Sequence, residues 1–155
     1  MTQTHCLTAD MLEAGARYRK TLSFSREQVA LYCDLTGDGN AIHRNVEAAR
    51  LRFPDVPDIV VPGGLIQTTI SAVFGTEWPG DGSIGLTFSP ERFRKPICPG
   101  DEILVEFEIT RIRGPFVEVA LTLDDAQGER ITTAKAKILA PDEGYRAWWV
   151  QQQVV

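Results

Sequence analysis

The feature of this sequence that most constrains its fold is a change of hydrophobic period after Gly75. Residues 65–74 are apolar around most of a helical circumference, which predicts one buried helix with Gly75 as its C-cap. From residue 84 onward apolar residues recur at every second position, as they do in strands. They form the sets Ile84, Leu86 and Phe88; Ile103, Val105, Phe107 and Ile109; and Val117, Val119, Leu121 and Leu123. We therefore expect an α+β fold, with a single long central helix wrapped by a curved antiparallel meander.

The first half of the chain predicts a strand, two short helices and a loop between the helices. Apolar residues alternate over residues 17–24, and Ser25 with Gln28 has the pattern of a capping box that opens a helix. That helix is expected to end at Gly37, and Asn45 can cap a second short helix. The segment between the two helices is thus a loop delivered by a helix C-terminus.

Length and charge favour one globular domain without a nucleic-acid or membrane partner. The chain has 155 residues, of which 43% are hydrophobic, and its formal net charge is -5. The only compact basic cluster is residues 92–95. A negative chain with so little clustered positive charge is not expected to bind nucleic acid or an anionic membrane. No apolar run approaches the roughly 20 residues of a membrane span, and the N-terminus lacks the pattern of a signal peptide. We expect a cytoplasmic protein.

Neither disulfides nor a metal centre is favoured by the residue pattern. Cys6, Cys33 and Cys98 are odd in number and scattered, without CxxC spacing. An EF-hand around Asp38 fails because Asn45 stands where the bidentate glutamate is required. We expect no bound metal.

The loop after the first helix is the best candidate for acid–base chemistry. It places Asp38 and His43 five residues apart beside a glycine-rich turn. The other histidine, His5, lies in a polar N-terminus, so His43 is the candidate for proton transfer near neutral pH. The alternative is that Asp38, Gly39 and Asn40 form only a turn, since these residue types are common in turns.

Three motifs in this order resemble the MaoC-like, hydratase-2 branch of the hot-dog superfamily. They are Gly37, Asp38, Gly39, Asn40, Ala41, Ile42 and His43; Val60, Val61, Pro62, Gly63, Gly64 and Leu65; and Phe93, Pro96, Gly100 and Asp101. The resemblance covers roughly residues 14–140 and implies a single hot-dog domain over residues 1–155, with residues 1–13 and 144–155 as terminal extensions. Ala41 replaces the usual proline, which should loosen the loop, and Pro62 stands where many members have histidine.

The resemblance implies hydration of a trans-2-enoyl-CoA to an (R)-3-hydroxyacyl-CoA, and the reverse dehydration. Asp38 and His43 would hold the attacking water, with Asp38 as the proton carrier. The backbone amide of Gly63 would stabilise the oxyanion, and Gly37 and Asn40 would support the loop. Alternatives are an acyl-CoA thioesterase on the same scaffold and a non-catalytic module that binds acyl thioesters.

Five residues are expected to contact the substrate. Gly64 and Pro62 lie at the start of the long helix, although the glycines there, Gly63 and Gly64, could instead only permit tight helix–sheet packing. Arg92, Arg94 and Lys95 could meet the phosphates of coenzyme A or phosphopantetheine, or form a solvated strand end. The expected partner is an acyl-CoA or acyl-carrier-protein thioester, with no separate cofactor. Fold analogy implies a homodimer or a dimer of dimers.

Overall fold

The computed structural model describes residues 3–154, so the outermost residues of both expected extensions lie outside the described part of the chain. It contains five strands and four α-helices. The strands are β1 (Arg17–Leu22), β2 (Ile84–Pro90), β3 (Ile103–Arg113), β4 (Phe116–Asp125) and β5 (Arg130–Leu139). The helices are α1 (Arg26–Thr36), α2 (Val46–Arg52), α3 (Gly63–Thr76) and α4 (Glu143–Gln152).

One antiparallel sheet contains all five strands in the order β1-β3-β4-β5-β2. Strands β3, β4 and β5 follow one another as hairpins, so the predicted meander is correct for these three. It is wrong for β2, which pairs with β5 at one edge, while β1 pairs with β3 at the other. Helix α3 lies between β1 and β2 in the chain, and these two strands lie at opposite edges of the sheet.

The core lies between α3 and the inner face of the sheet. Alternate residues of β3 and β4 are buried, as the period of two predicts. From α3, the side chains of Ile66, Ile70, Val73 and Phe74 are buried in the same cluster. Phe74 meets Phe107 of β3 edge to face, with ring centroids 5.3 Å apart. Each such buried side chain stabilises the fold by about 1.5–3 kcal/mol.

Helix α3 is longer and less enclosed than its sequence predicts. It begins at Gly63 and runs through Gly75 to Thr76, so Gly75 is not its C-cap. Glu77 ends the helix, and its amide donates to the Val73 carbonyl at 2.8 Å. One face of the helix is exposed, namely Thr68, Ser71, Ala72 and Gly75. These residues are small or polar, so burial on the opposite face is enough to hold the helix.

Strand β2 exposes apolar side chains at the edge of the sheet. Ile84 is 56% exposed and Leu86 is 43% exposed, although both belong to the alternating pattern expected to be buried. Alternation alone does not distinguish an inner strand from an edge strand. The far edge of β2 has no strand beside it within the described chain.

Both terminal segments dock on the loop that follows α3. Cys6 forms an antiparallel bridge to that loop, and its carbonyl accepts a hydrogen bond from Arg146 of α4 at 3.1 Å. The Tyr145 hydroxyl donates to Asp81 at 2.6 Å. Trp148 lies 5.4 Å from Tyr145, ring to ring, and is 52% exposed. None of the helices within residues 3–154 is long and apolar enough to cross a bilayer.

Candidate active site

Helix α1 places Asp38 at the mouth of the candidate site. The predicted capping box is present: the Gln28 amide donates to Ser25 Oγ at 3.1 Å, and the Ser25 amide donates to Gln28 Oε1 at 2.8 Å. The helix ends at Gly37, which has φ 72° and the left-handed conformation that favours glycine. The Asp38 amide then donates to the Cys33 carbonyl at 3.0 Å. The capped end of α1 therefore fixes the position of the Asp38 backbone.

The loop from Asp38 to His43 is braced by its own polar groups. Asp38 Oδ1 accepts from the Asn40 amide at 3.0 Å, and Asn40 Oδ1 accepts from the Ile42 amide at 3.4 Å. Asn40 thereby caps the 3-10 turn Ala41–His43. Arg44 adds a bond from Nη2 to the Asp38 carbonyl at 2.7 Å.

His43 is held in one orientation by a backbone carbonyl. Its Nδ1 lies 2.6 Å from the Val60 carbonyl oxygen, and its side chain is only 10% exposed. A carbonyl oxygen can only accept, so Nδ1 carries the proton of this bond and Nε2 of the neutral ring has a free lone pair. The Val60 amide also donates to the Ile42 carbonyl at 3.0 Å, which ties the loop to the segment leading into α3.

Asp38 and His43 lie close enough together for one water molecule, placed to one side of both, to hydrogen-bond to the two side chains. Nε2 of His43 lies 3.7 Å from Oδ2 of Asp38, which is too long for a direct hydrogen bond. A water at about 2.8 Å from both atoms fits this separation. The pair can therefore hold a water between a carboxylate oxygen and an unprotonated imidazole nitrogen.

Helix α3 begins beside this pair with two glycines. Pro62 is its N-cap residue, and the first hydrogen bond of the helix runs from the Leu65 amide to the Pro62 carbonyl at 3.0 Å. The amides of Gly63 and Gly64 precede that bond and, as in any helix, have no intrahelical acceptor. With the helix dipole they favour negative charge at this end. The structure thus places Gly63 three residues beyond the carbonyl that orients His43.

The two glycines differ in how closely they are approached. A Cβ added to Gly63 would lie 3.4 Å from the Phe93 ring, which is an ordinary contact. A Cβ added to Gly64 would overlap the hydroxyl oxygen of Tyr32. The alternative that these glycines permit tight packing therefore applies to Gly64 in particular.

The basic segment lies next to the start of α3, but its three charges are not equivalent. Phe93 packs on the core near Gly63, and the flanking Arg92 and Arg94 are exposed. No carboxylate within residues 3–154 forms an ion pair with either arginine. Lys95, in contrast, pairs with Asp125 and, at 3.3 Å, with Glu129. These bonds raise the pKa of Lys95 and partly neutralise it as a phosphate ligand.

Three contributors to this site have no distinct signature in the sequence. The Val60 carbonyl that orients His43 is a backbone group, and Arg44 reaches the Asp38 carbonyl through a flexible side chain. Tyr32 belongs to the apolar stripe of α1, which predicts packing but not its contact with Gly64. In the described part of the chain, no three His, Cys, Asp or Glu side chains are grouped so that they could hold a metal ion.

Comparisons with known proteins agree with this arrangement. The family model described as MaoC like domain matches residues 8–127. The chain is 29% identical over 137 residues to the (R)-specific enoyl-CoA hydratase of Aeromonas caviae, covering 87% of this chain and 100% of that protein. It is 32% identical over 105 residues to the 3-hydroxyacyl-[acyl-carrier-protein] dehydratase FabZ of Bacillus pumilus, covering 64% and 65% of the two chains.

The fold is also similar to solved structures. The R-hydratase PhaJ1 of Pseudomonas aeruginosa superposes with a TM-score of 0.79 and 27% identity, covering 91% of this chain and 90% of that one. The five-stranded sheet and its helix match the hot-dog fold of this neighbour, which confirms the fold class expected from the sequence.

Proposed function

Since the chain belongs to the MaoC-like family, whose model covers residues 8–127, we propose that it interconverts trans-2-enoyl-CoA and (R)-3-hydroxyacyl-CoA. Relatives bearing the names hydratase and dehydratase support a hydro-lyase acting on acyl thioesters. The finer choice of substrate and stereochemistry is our proposal. It is carried by one observation, the 3.7 Å separation of Asp38 Oδ2 and His43 Nε2, which lets one water hydrogen-bond to both atoms.

In the hydration direction, the held water supplies both groups that add to the double bond. Asp38 accepts one proton as the water oxygen attacks C3, and His43 Nε2 accepts a hydrogen bond from the other water hydrogen. Asp38 then delivers its proton to C2, which leaves hydroxyl on C3 and hydrogen on C2. Both come from one side of the site, so the addition is expected to be stereospecific.

Negative charge that develops on the thioester oxygen would meet the free amide of Gly63. This amide and the helix dipole are preorganised before the substrate binds, so no reorganisation is needed during the reaction. Pro62 and Gly64 flank Gly63 in the chain, so we expect both to lie next to the bound thioester. The Val60 carbonyl, which orients His43, and the Gly63 amide are three residues apart, so one short segment would position both the water-binding histidine and the oxyanion donor.

The coenzyme arm would leave the site over the basic segment. Arg92 and Arg94 flank Phe93 in an irregular segment after β2, and both side chains are exposed. Two free guanidinium groups suit phosphate oxygens, and the charge of Lys95 is already offset by Asp125. This favours coenzyme A or phosphopantetheine as the handle of the substrate, with Lys95 holding the segment in place.

The active unit is proposed to be a homodimer. Strand β2 combines an unpaired edge with exposed Ile84 and Leu86, and a second copy could cover both at once. A cavity of about 390 Å³ between β2 and the exposed face of α3, lined in part by Ser71 and Phe88, lies on this same side.

The purified protein should be given crotonyl-CoA, longer and branched enoyl-CoA thioesters, and the corresponding carrier-protein thioesters. Hydration is followed as loss of absorbance of the conjugated thioester, and chiral chromatography identifies the hydroxyacyl product. Release of free thiol without hydration would instead indicate a thioesterase. Ligand-induced thermal stabilisation without turnover, unchanged in Asp38→Asn, would indicate a binding module. Absence of hydration across the whole panel contradicts the proposal.

A further inference from the structure

The hydroxyl of Tyr32 lies against the first turn of α3. The position of a Cβ on Gly64 would overlap its oxygen and would lie 3.2 Å from the ring carbon Cζ. The tyrosine hydroxyl therefore fills the volume that any side chain at position 64 would need. Gly64 is the residue that admits it.

This contact also defines the side of the helix on which the hydroxyl lies. In an α-helix every Cα–Cβ bond tilts toward the N-terminus, so the Cβ position of Gly64 lies on the N-terminal side of its own Cα. The free amides of the first turn point toward the same end. The Tyr32 oxygen therefore lies at the first turn of α3, the turn whose free amides include that of Gly63.

The rest of Tyr32 links this point to the catalytic loop. Its ring is half-buried and packs against the core, and it belongs to α1, whose C-terminus delivers Asp38. The hydroxyl donates no hydrogen bond to any described residue and is not a fully buried atom without a partner. Tyr32 also lines an open cleft of about 460 Å³, together with Leu65 and Thr69 of α3. A side chain whose hydroxyl has no hydrogen-bond partner among residues 3–154 therefore touches the first turn of α3 and borders accessible space.

We propose that Tyr32 is a further substrate-contacting residue, whose hydroxyl donates a hydrogen bond to the carbonyl oxygen of the bound acyl thioester. It acts beside the backbone amide of Gly63, so the developing oxyanion has one side-chain donor and one main-chain donor. This inference rests on the proposed binding of acyl thioesters at the start of α3. It adds a residue that the aspartate and histidine motif does not include.

Tyr32→Phe tests the role of the hydroxyl while keeping the ring. We expect kcat with crotonyl-CoA to fall by about tenfold to a hundredfold, because a donor to the transition-state oxyanion is lost, and KM to rise by at most about fivefold, because the same donor also bonds the ground-state carbonyl. Tyr145→Phe is the matched control, since it removes a hydroxyl bonded to Asp81 beside α4. That control should keep the wild-type kcat. An unchanged kcat in Tyr32→Phe overturns the proposal.

Gly64→Ala gives a second test through the same contact. In the wild-type background the added methyl group displaces the hydroxyl, so kcat should fall by a similar factor. In the Tyr32→Phe background that oxygen is absent, and the alanine should cost much less. Losses that simply multiply in the double variant would show that the two residues act separately and would contradict the proposal.

Binding measurements separate this inference from the proposed reaction. Butanoyl-CoA and its thioether analogue, S-butyl-CoA, differ by the carbonyl oxygen and cannot be hydrated. By calorimetry, wild type should prefer butanoyl-CoA, and Tyr32→Phe should reduce that preference by about fivefold, the worth of one neutral hydrogen bond. If this loss is seen without any turnover, the Tyr32 inference stands and hydration fails. If turnover is seen and both the preference and kcat are unchanged, only the Tyr32 inference fails. If wild type shows neither turnover nor preference, both fail.

Discussion

His43 Nε2 lies 3.7 Å from Asp38 Oδ2, while Nδ1 on the other side of the ring is bound to the Val60 carbonyl. The bond to Val60 fixes the tautomer, and the gap to Asp38 fixes where a water would bind. The imidazole is almost enclosed and the carboxylate is 31% exposed. Solvent can therefore reach the pair from the Asp38 side.

Asp38→Asn should abolish most hydration without unfolding the loop. Asparagine keeps an oxygen that can accept from the Asn40 amide, but it cannot carry a proton between water and C2. We expect kcat to fall by about 10²–10⁴-fold with a nearly unchanged melting temperature. Asp34→Asn, an exposed change of the same charge on α1, is the control and should be active.

His43→Gln should cost a similar factor, and the double variant should be little worse than either single one. The two residues hold the same water, so removing the second adds little once the first is gone. Steady-state kinetics of the three variants check this. Losses that multiply in the double variant would mean that Asp38 and His43 act in separate steps.

Ala41→Pro should stabilise the loop rather than disrupt it. Asn40 has φ −64° and ψ 121°, which a following proline allows, and Ala41 is the first residue of its 3-10 turn. We expect the free energy of unfolding to rise by about 0.4–1 kcal/mol, because proline restricts the unfolded chain. Ala41→Gly should lower it. Urea denaturation measures both, and a loss of stability in Ala41→Pro would show that this site does not accept proline.

The parts of the fold that the sequence predicts are those set by burial periodicity and local capping. Ser25, Gln28 and Gly37 define α1 because their roles depend only on close neighbours. The place of β2 depends instead on pairing with β5, which begins 46 residues after β2 starts. The prediction that Gly75 is the C-cap of α3 is wrong, because glycine also occurs inside helices and here lies on the exposed face of α3.

The site is predictable to a similar extent. The structure brings Asp38, His43 and the segment before Gly63 together, as the family motifs imply. The Val60 carbonyl could not be found from sequence, since every residue has one. The pairing of Lys95 with Asp125 spans 30 residues, so a charge count could not show that this lysine is engaged.

Arg92→Gln and Arg94→Gln should each raise KM for crotonyl-CoA by about 1.5-fold to fivefold, which corresponds to the energy of an exposed ion pair. Added salt should diminish the difference from wild type. Arg113→Gln is the control. The Arg94 amide donates to the Ile131 carbonyl at the start of β5. Arg113 pairs with Phe116 at the opposite end of these strands. Equal KM values in all variants would show that this segment does not bind the phosphates of the substrate.

Leu86→Lys should convert the proposed dimer to a monomer. The charge would lie on the free edge strand, at the apolar surface that a second β2 would cover. Light scattering should give about twice the 17.2 kDa chain mass for wild type and one chain mass for the variant. Leu104→Lys is a close control, because Leu104 is 45% exposed against 43% for Leu86 but lies on an inner strand. If the Leu86→Lys variant is still a dimer, the interface does not include the edge of β2.

Protonation of Asp125 should lower the free energy of unfolding at acid pH. The hydrogen bond from Lys95, followed by those from the Glu129 and Gln127 amides, lowers the pKa of this carboxyl. A lowered folded-state pKa means that the unfolded chain binds the proton first. The stabilisation is therefore complete above the unfolded pKa of about 3.9 and is lost as pH falls through the folded value.

Asp125→Asn removes this titration, so its deficit in unfolding free energy against wild type should be constant above about pH 5 and should shrink below pH 4. Other carboxyls with a lowered pKa, such as Asp58, titrate in both proteins and cancel in the difference. Glu129→Gln is the control, because that partner of Lys95 is 74% exposed and contributes little. Urea denaturation from pH 7 to pH 3 measures the three proteins. A deficit that does not change with pH would show that Asp125 stabilises the turn by shape and not by its charge.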